Sequence, residues 1–162
     1  MIVIEKNLRP YLYFNLILLV SFSVSINSFV EIKFVNYFFY IFFHLTFIYF
    51  LFYHYHFFIY VLAFCYGILL DIILLNEISA HLVSFIMLVS LYVLLKRYLF
   101  LFSAYKMSIT IFTTLITTLF LEVIFAFLFN NIIFNISQII MYIVISVVIF
   151  FPSIFLFSKL DK

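Results

Sequence analysis

The chain is poor in the residues that build catalytic and nucleotide-binding loops. It contains one glycine, Gly67, one cysteine, Cys65, and no tryptophan among 162 residues. One glycine excludes in practice a phosphate-cradling loop or a dinucleotide-binding fingerprint, because both need several glycines in close succession. One cysteine cannot form an internal disulfide, and we expect Cys65 to fill a buried apolar site.

Charged residues are also scarce. They make up 9% of the chain, whereas hydrophobic residues make up 70%. Soluble domains contain about 25% charged and about 45–50% apolar residues, so this chain lacks the polar surface of a soluble fold. We therefore expect a lipid bilayer to surround most of it, with about six spans of ~20 residues each and no separate soluble domain. The net charge of +2 is too small to indicate a nucleic-acid partner.

The motifs of common enzyme classes are missing. The sequence contains no H-E-x-x-H, no G-x-S-x-G and no C-x-x-C, and it shows no cluster of metal-ligating residues. His54 and His56 are two positions apart and do not share a helix face, so an interfacial turn is favoured over a metal site. Asp71 and Glu122 could form an acidic pair, but nothing supplies a nucleophile or an oxyanion site. We interpret the protein as a non-enzyme without cofactor or metal.

Polar breaks divide the chain into six apolar stretches. Helices are favoured because lipid-facing backbone must form its hydrogen bonds internally, so we predict an all-α, polytopic bundle of six transmembrane helices forming one domain over 1–162. Residues 37–75 are almost continuous, but this length is about twice the hydrocarbon thickness and predicts two helices. The predicted spans cover about residues 10–30, 37–53, 57–75, 78–95, 107–129 and 136–157.

Two further features qualify the first and last spans. The N-terminal stretch could be a secretory signal, but it lacks an A-x-A-like site and its apolar run is long, so an uncleaved helix is favoured. Pro152 lies within the last span and predicts a kink there.

Lysine and arginine are distributed unequally between the two sides of such a bundle. With six spans, seven of the eight lie on one side and only Lys33 lies on the other. Positive residues accumulate on the cytoplasmic side of membrane proteins. Both termini are therefore predicted to be cytoplasmic.

Asp71 and Glu122 fall inside predicted spans, where a carboxylate costs roughly 2.5–3.5 kcal/mol at mid-membrane. With a rise of 1.5 Å per residue, they lie about 6 Å and about 10 Å below the outer ends of their helices. His44 has a similar depth, so the three side chains could meet in the outer half of the bundle. Simpler interpretations stay open: Asp71 could only bond backbone, Glu122 could be a structural acid, and His44 could be isolated.

Small and hydroxyl-bearing residues recur every three or four positions on three spans, which places them on one helix face. Such faces usually contact other helices in a membrane, because small residues allow close approach and hydroxyls can bond across the interface. For the threonines, packing alone is an equally simple interpretation. The stripes consist of Ala63, Gly67 and Asp71; of Thr110, Thr114, Thr118 and Glu122; and of Ser21, Ser25 and Ser28.

The sequence around the third and fourth spans resembles the rod shape-determining MreD family. That family shows a glycine, three apolar residues and an aspartate, then a short turn and a histidine or arginine, and here Gly67, Asp71 and His81 match by position. The turn departs from the family because it reads Leu75-Asn76-Glu77 rather than a glycine-rich run. Further matches are Tyr92, the pair Lys96-Arg97 and the acidic Glu122 in the fifth span.

The resemblance implies a multi-pass protein of the bacterial cytoplasmic membrane, with the six-helix fold of the substrate-capture subunits of energy-coupling-factor transporters. It implies a scaffold of cell-wall elongation that binds the single-span protein MreC, lies near MreB filaments and wall-synthesis enzymes, and is embedded in lipid. A homo-oligomer is also compatible. A polar cluster would hold the partner or support the fold; its members are Asp71, Asn76, Glu77, His81, Glu122 and His44.

Two other functions are weighed against the scaffold. A vitamin-capture subunit is the alternative that the same fold implies, and Ser21-x-x-x-Ser25 weakly resembles the small-residue contact that those subunits make through their first helix. A proton- or ion-handling subunit could use His44, Asp71 and Glu122 as a relay. The relay is disfavoured because the acids are shallow and no lysine is buried with them.

Overall fold

A computed structural model describes residues 2–26, 33–54, 56–75, 77, 79–99 and 101–160, with side chains from residue 13 onward except those of 158 and 160. Within these ranges the chain is helical and contains no strand, which confirms the predicted all-α class. The helices are α1 (Ile2–Ile26), α2 (Lys33–Tyr53), α3 (Ile59–Leu74), α4 (Ala80–Leu99), α5 (Ala104–Asn130) and α6 (Ile136–Leu160).

Four of these helices are long and apolar enough to cross a membrane: α2, α4, α5 and α6. α3 is shorter, and so is Tyr13–Ile26, the part of α1 whose side chains the structure describes. The composition of the described chain is therefore compatible with a multi-pass membrane protein. The six-span arrangement stays a prediction.

Polar residues mark some of the helix boundaries. Asn131 ends α5 in the left-handed conformation with φ of 54°, which asparagine tolerates better than most residues. Between α2 and α3 the chain makes a short turn, in which the Phe58 N–H donates to Nδ1 of His56 at 3.2 Å. α6 continues through Pro152 as one helix.

Cys65 is exposed, so the prediction that it fills a buried site is wrong. The buried face of α3 contains residues spaced three and four apart, among them Ala63, Gly67 and Asp71. Cys65 lies between them on a different face of the helix. The face of α3 that contains Ala63, Gly67 and Asp71 is the buried one, so the apolar character of Cys65 did not decide its position.

The helices divide into two compact units. Unit 1 consists of Met1–His54 with Ser137–Lys162, and unit 2 consists of Tyr55–Ile136. In unit 2, α4 packs against both α3 and α5. In unit 1, α1 packs against α2, where the Ser25 hydroxyl donates to Oδ1 of Asn36. Aromatic rings join α2 to α6 in the same unit.

Candidate functional site

α3 and α4 approach each other closely at Gly67. A Cβ atom built on this residue would lie 2.5 Å from the Cα atom and 3.0 Å from the backbone nitrogen of Leu82. Both are backbone atoms of α4 and cannot turn aside as a flexible side chain could. The first turn of α4 therefore lies directly against α3, and only glycine leaves room for it at this position.

Asp71, one turn further along α3, binds the same end of α4. Its Oδ2 atom accepts hydrogen bonds from the backbone N–H of Ser79 at 2.8 Å and of Leu82 at 3.1 Å. Its Oδ1 atom accepts from the His81 N–H at 2.9 Å and from His81 Nδ1 at 2.7 Å. The carboxyl group is fully buried, and all four donors belong to the start of α4 or the residue just before it.

The arrangement is a helix N-terminal cap supplied by another helix. The first N–H groups of a helix have no partner within it, and an apolar surrounding makes them costly. A carboxylate satisfies them and also interacts favourably with the positive end of the helix dipole. We call Gly67, Asp71, Ser79, His81 and Leu82 the α4 clamp, because together they fix the start of α4 against α3.

A second polar network lies beside the clamp. The Ser79 hydroxyl donates to Oδ1 of Asn130 at 2.7 Å, and Nδ2 of Asn130 donates to Oε2 of Glu77 at 3.2 Å. The turn between α3 and α4 is thereby tied to the end of α5. Asn130 was predicted only as a span boundary. The pair Asn130-Asn131 was the one sequence signal that could have indicated a polar contact at this end of α5. Asn76 lies outside the described residues.

The remaining predicted site residues divide between the units. Glu122 belongs to α5 and is 4% exposed, so both carboxyl groups that were predicted to lie within spans are shielded by protein. His44 belongs to unit 1, where it is buried, donates from Nδ1 to the Tyr40 carbonyl at 2.8 Å and contacts the Tyr40 ring. That His44 meets the acids of unit 2 stays a prediction.

The hydroxyl stripes bond mainly within their own helices. Thr114 and Thr118 donate to the carbonyls four residues earlier, at 2.7 and 2.8 Å. Ser25 differs, because its bond to Asn36 crosses from α1 to α2. Ser21 is half-buried on α1, and Ser28 lies outside the described residues.

An apolar cavity of about 450 Å³ lies in unit 1 between α2 and α6. Phe38 and Phe42 form one side, and Val148, Pro152 and Ser153 contribute to the other. The lining carries one side-chain hydroxyl, that of Ser153, and no charge. The described part of the chain also holds no group of three His, Cys, Asp or Glu residues able to bind a metal ion.

Taken together, the fold and the clamp define an all-helical, membrane-compatible protein with two helices joined by a buried carboxylate. A scan against models of known protein families finds no match to this chain, and neither a curated protein nor a solved structure matches it. The resemblance to the MreD family therefore rests on the residues given in the sequence analysis.

Proposed function

We propose that the chain is a non-enzymatic scaffold of the bacterial cell-wall elongation machinery, which binds an MreC-like single-span protein and helps determine rod shape. In this proposal six helices span the cytoplasmic membrane and both termini are cytoplasmic. α3 has 16 residues, about 24 Å of helix, and a span shorter than the hydrocarbon core is accommodated by local thinning of the bilayer.

One observation carries the proposal. Gly67, Asp71 and His81 are the positions on which the resemblance depends, and they form one connected contact in the α4 clamp. The three residues thus share one structural role, although the histidine lies ten residues beyond the aspartate. That role is to hold α4 in a fixed position against α3, which suits a scaffold that presents a fixed helical surface to its partner.

The clamp also limits what Asp71 can do for a partner. Its two oxygens already accept four hydrogen bonds from α4, so we assign it a positioning role. The partner would contact the surfaces that the clamp holds in place, including the polar end formed by Glu77, Ser79 and Asn130. Loss of Asp71 should then weaken partner binding indirectly, by releasing α4.

The test is recovery of the partner in detergent. The chain would be co-expressed with the product of a neighbouring gene that has one span, a coiled coil and a β-rich extracytoplasmic domain. We expect co-purification, with recovery reduced at least fivefold by Asp71→Ala and unchanged by Val61→Ala on an exposed part of α3. Depletion of the chain in its own cells should convert rods to spheres.

Two results would count against the scaffold. One is the absence of any co-purifying partner with the native chain while the cells keep their rod shape after depletion. The other is full partner recovery and normal shape with Asp71→Ala, which would reduce Asp71 to a local structural residue and remove the observation on which the proposal depends.

The vitamin-capture subunit is favoured by one feature, the cavity of about 450 Å³ in unit 1, which lies in the size range of small-molecule sites. Its lining suits a hydrocarbon better than a polar vitamin, because such sites normally hold several placed polar groups. A thermal shift with a member of a vitamin panel, or a vitamin retained through purification, would favour this alternative over the scaffold.

A further inference from the structure

The end of unit 2 opposite the α4 clamp is basic. α4 ends at Leu99 and α5 begins at Ala104, so the last turn of one helix and the first turn of the next lie at the same end. Residues 96–99 and 101–106, which we call the basic corner, contain Lys96, Arg97 and Lys106 and no acidic residue. The corner therefore carries a net charge of +3 from these side chains.

Several apolar and aromatic side chains of the basic corner are largely exposed. Leu101 is 84% exposed, Tyr105 76% and Tyr98 66%. Basic residues interleaved with exposed leucine and tyrosine are typical of segments that lie at the boundary between lipid and water, where aromatic rings sit at headgroup level. In water alone the same exposure would be unfavourable.

The acids of unit 2 lie far from Arg97 and Lys106 along the helices. The acidic residues of the unit are Asp71, Glu77 and Glu122. Glu122 follows Lys106 by 16 positions, about 24 Å along α5. The other two lie at the start of α4, which is about 20 Å or more along that helix from Arg97. These separations exceed the Debye length of about 8 Å at physiological salt.

We propose that the basic corner binds the phosphate groups of anionic phospholipids. Arg97 and Lys106 are exposed and supply a planar fork and a mobile ammonium group, both suited to phosphate oxygens. Leu101 and Tyr105 enter the adjoining apolar layer of the same leaflet. Ser103, the residue before α5, makes no side-chain cap, so the positive end of the α5 dipole adds to the field at this corner.

A soluble anion or nucleic acid fits these residues less well. Either would bind the charges but would leave Leu101 and Tyr105 in water, whereas a lipid leaflet contacts both kinds of side chain. The proposal is independent of the scaffold function, because it concerns only the composition of the lipid that surrounds the corner.

The absence of tryptophan gives a direct test. Tyr98→Trp introduces one tryptophan at the corner, and Phe129→Trp introduces one at the other end of α5 as a control. Each variant is reconstituted in vesicles of equal phosphatidylcholine and phosphatidylglycerol, with brominated chains on one lipid or the other. We expect brominated phosphatidylglycerol to quench the Tyr98→Trp fluorescence at least twice as strongly as brominated phosphatidylcholine, and the control to show no preference.

Substitutions that remove positive charge test which residues cause the preference for phosphatidylglycerol. Arg97→Gln with Lys106→Gln in the Tyr98→Trp background should weaken the preference strongly, since each basic residue near an anionic surface contributes about fivefold in lipid affinity. Lys33→Gln, outside the corner, should leave it unchanged. About 1 M salt, which shortens the Debye length to about 3 Å, should abolish the preference.

The proposal is overturned if both brominated lipids quench equally, which would leave the basic residues with a role in orientation only. It is also overturned if the double substitution leaves the preference undiminished. If the doubly substituted chain does not fold, the salt titration decides with the native charges in place, and a preference that persists in about 1 M salt contradicts phosphate binding.

Discussion

The two units of the molecule hold their helices together by different means. In unit 2, α3 and α4 approach so closely that a methyl group at Gly67 would strike backbone, and four hydrogen bonds to Asp71 fix the pair. In unit 1, aromatic rings separate α2 from α6, and a cavity lies between the helices. Lipid tails give little hydrophobic drive for helix association, so specific contacts of one kind or the other must supply it.

In unit 1, α2 and α6 are joined by contacts between aromatic rings rather than by close approach of their backbones. The centroids of Tyr37 and Tyr142 are 5.1 Å apart, and those of Tyr49 and Phe157 are 4.8 Å apart, both in the range of favourable aromatic pairs. Phe42 and Phe157 stack at 6.1 Å. Such contacts depend on area more than on exact register. Unit 1 should therefore tolerate changes of volume that unit 2 does not.

The largest effect is expected from Asp71→Ala. The change removes the acceptor of three backbone N–H groups and of His81 Nδ1 in a buried site, and breaking such a buried polar arrangement costs roughly 3–5 kcal/mol. Thermal unfolding in detergent, followed by helical circular dichroism, measures the loss. Glu77→Ala, at an exposed position of the adjoining turn, is the control and should cost under about 1 kcal/mol. Equal unfolding temperatures for the two variants would contradict the clamp.

An intermediate effect is expected from Gly67→Ala. The added methyl group must move the backbone of Leu82, and overpacking of this kind typically costs about 1–3 kcal/mol. The same unfolding experiment measures it, with Cys65→Ala on the exposed side of α3 as the control. A Gly67→Ala protein as stable as the control would show that α3 and α4 can separate without loss, and the contrast between the units would disappear.

The smallest effect is expected from Val144→Leu in unit 1. Val144 lines the cavity, so one added methylene enters open space and should change the free energy of unfolding by less than about 1 kcal/mol. Ala63→Val, which adds two carbons on the buried face of α3, is the enlargement in unit 2 and should cost about 1–3 kcal/mol. If Val144→Leu proves the more damaging of the two, the assignment of close packing to unit 2 is wrong.

The sequence predicted much of the fold because long apolar runs separated by polar residues are typical of helices. Apolar runs between polar breaks identified all six helices, and Asn130-Asn131 marked the end of α5. Several helices extend beyond the predicted spans, among them α4 to Leu99 and α5 from Ala104. Lysine, arginine and alanine favour helix, and hydropathy alone does not register where a helix continues past the apolar layer.

The clamp was predictable only in part. Spacing placed Gly67 and Asp71 on one face of α3, and the simpler interpretation that Asp71 bonds backbone agrees with the structure. Its partners could not be read from the sequence, because a backbone N–H carries no residue signature. Asn130 was missed as a network member for a related reason. It lies 51 residues from Ser79, and the sequence around either residue does not indicate that contact.

In the predicted six-span arrangement, the clamp also bears on how the chain enters a bilayer. Asp71 alone and the bare first turn of α4 alone would each be expensive to move out of water, whereas side by side each solvates the other. Insertion of α3 and α4 as a hairpin therefore avoids a penalty that stepwise entry would incur twice. A chain halted after α3 but before α4 has left the ribosome should accordingly keep α3 at the translocon until α4 emerges.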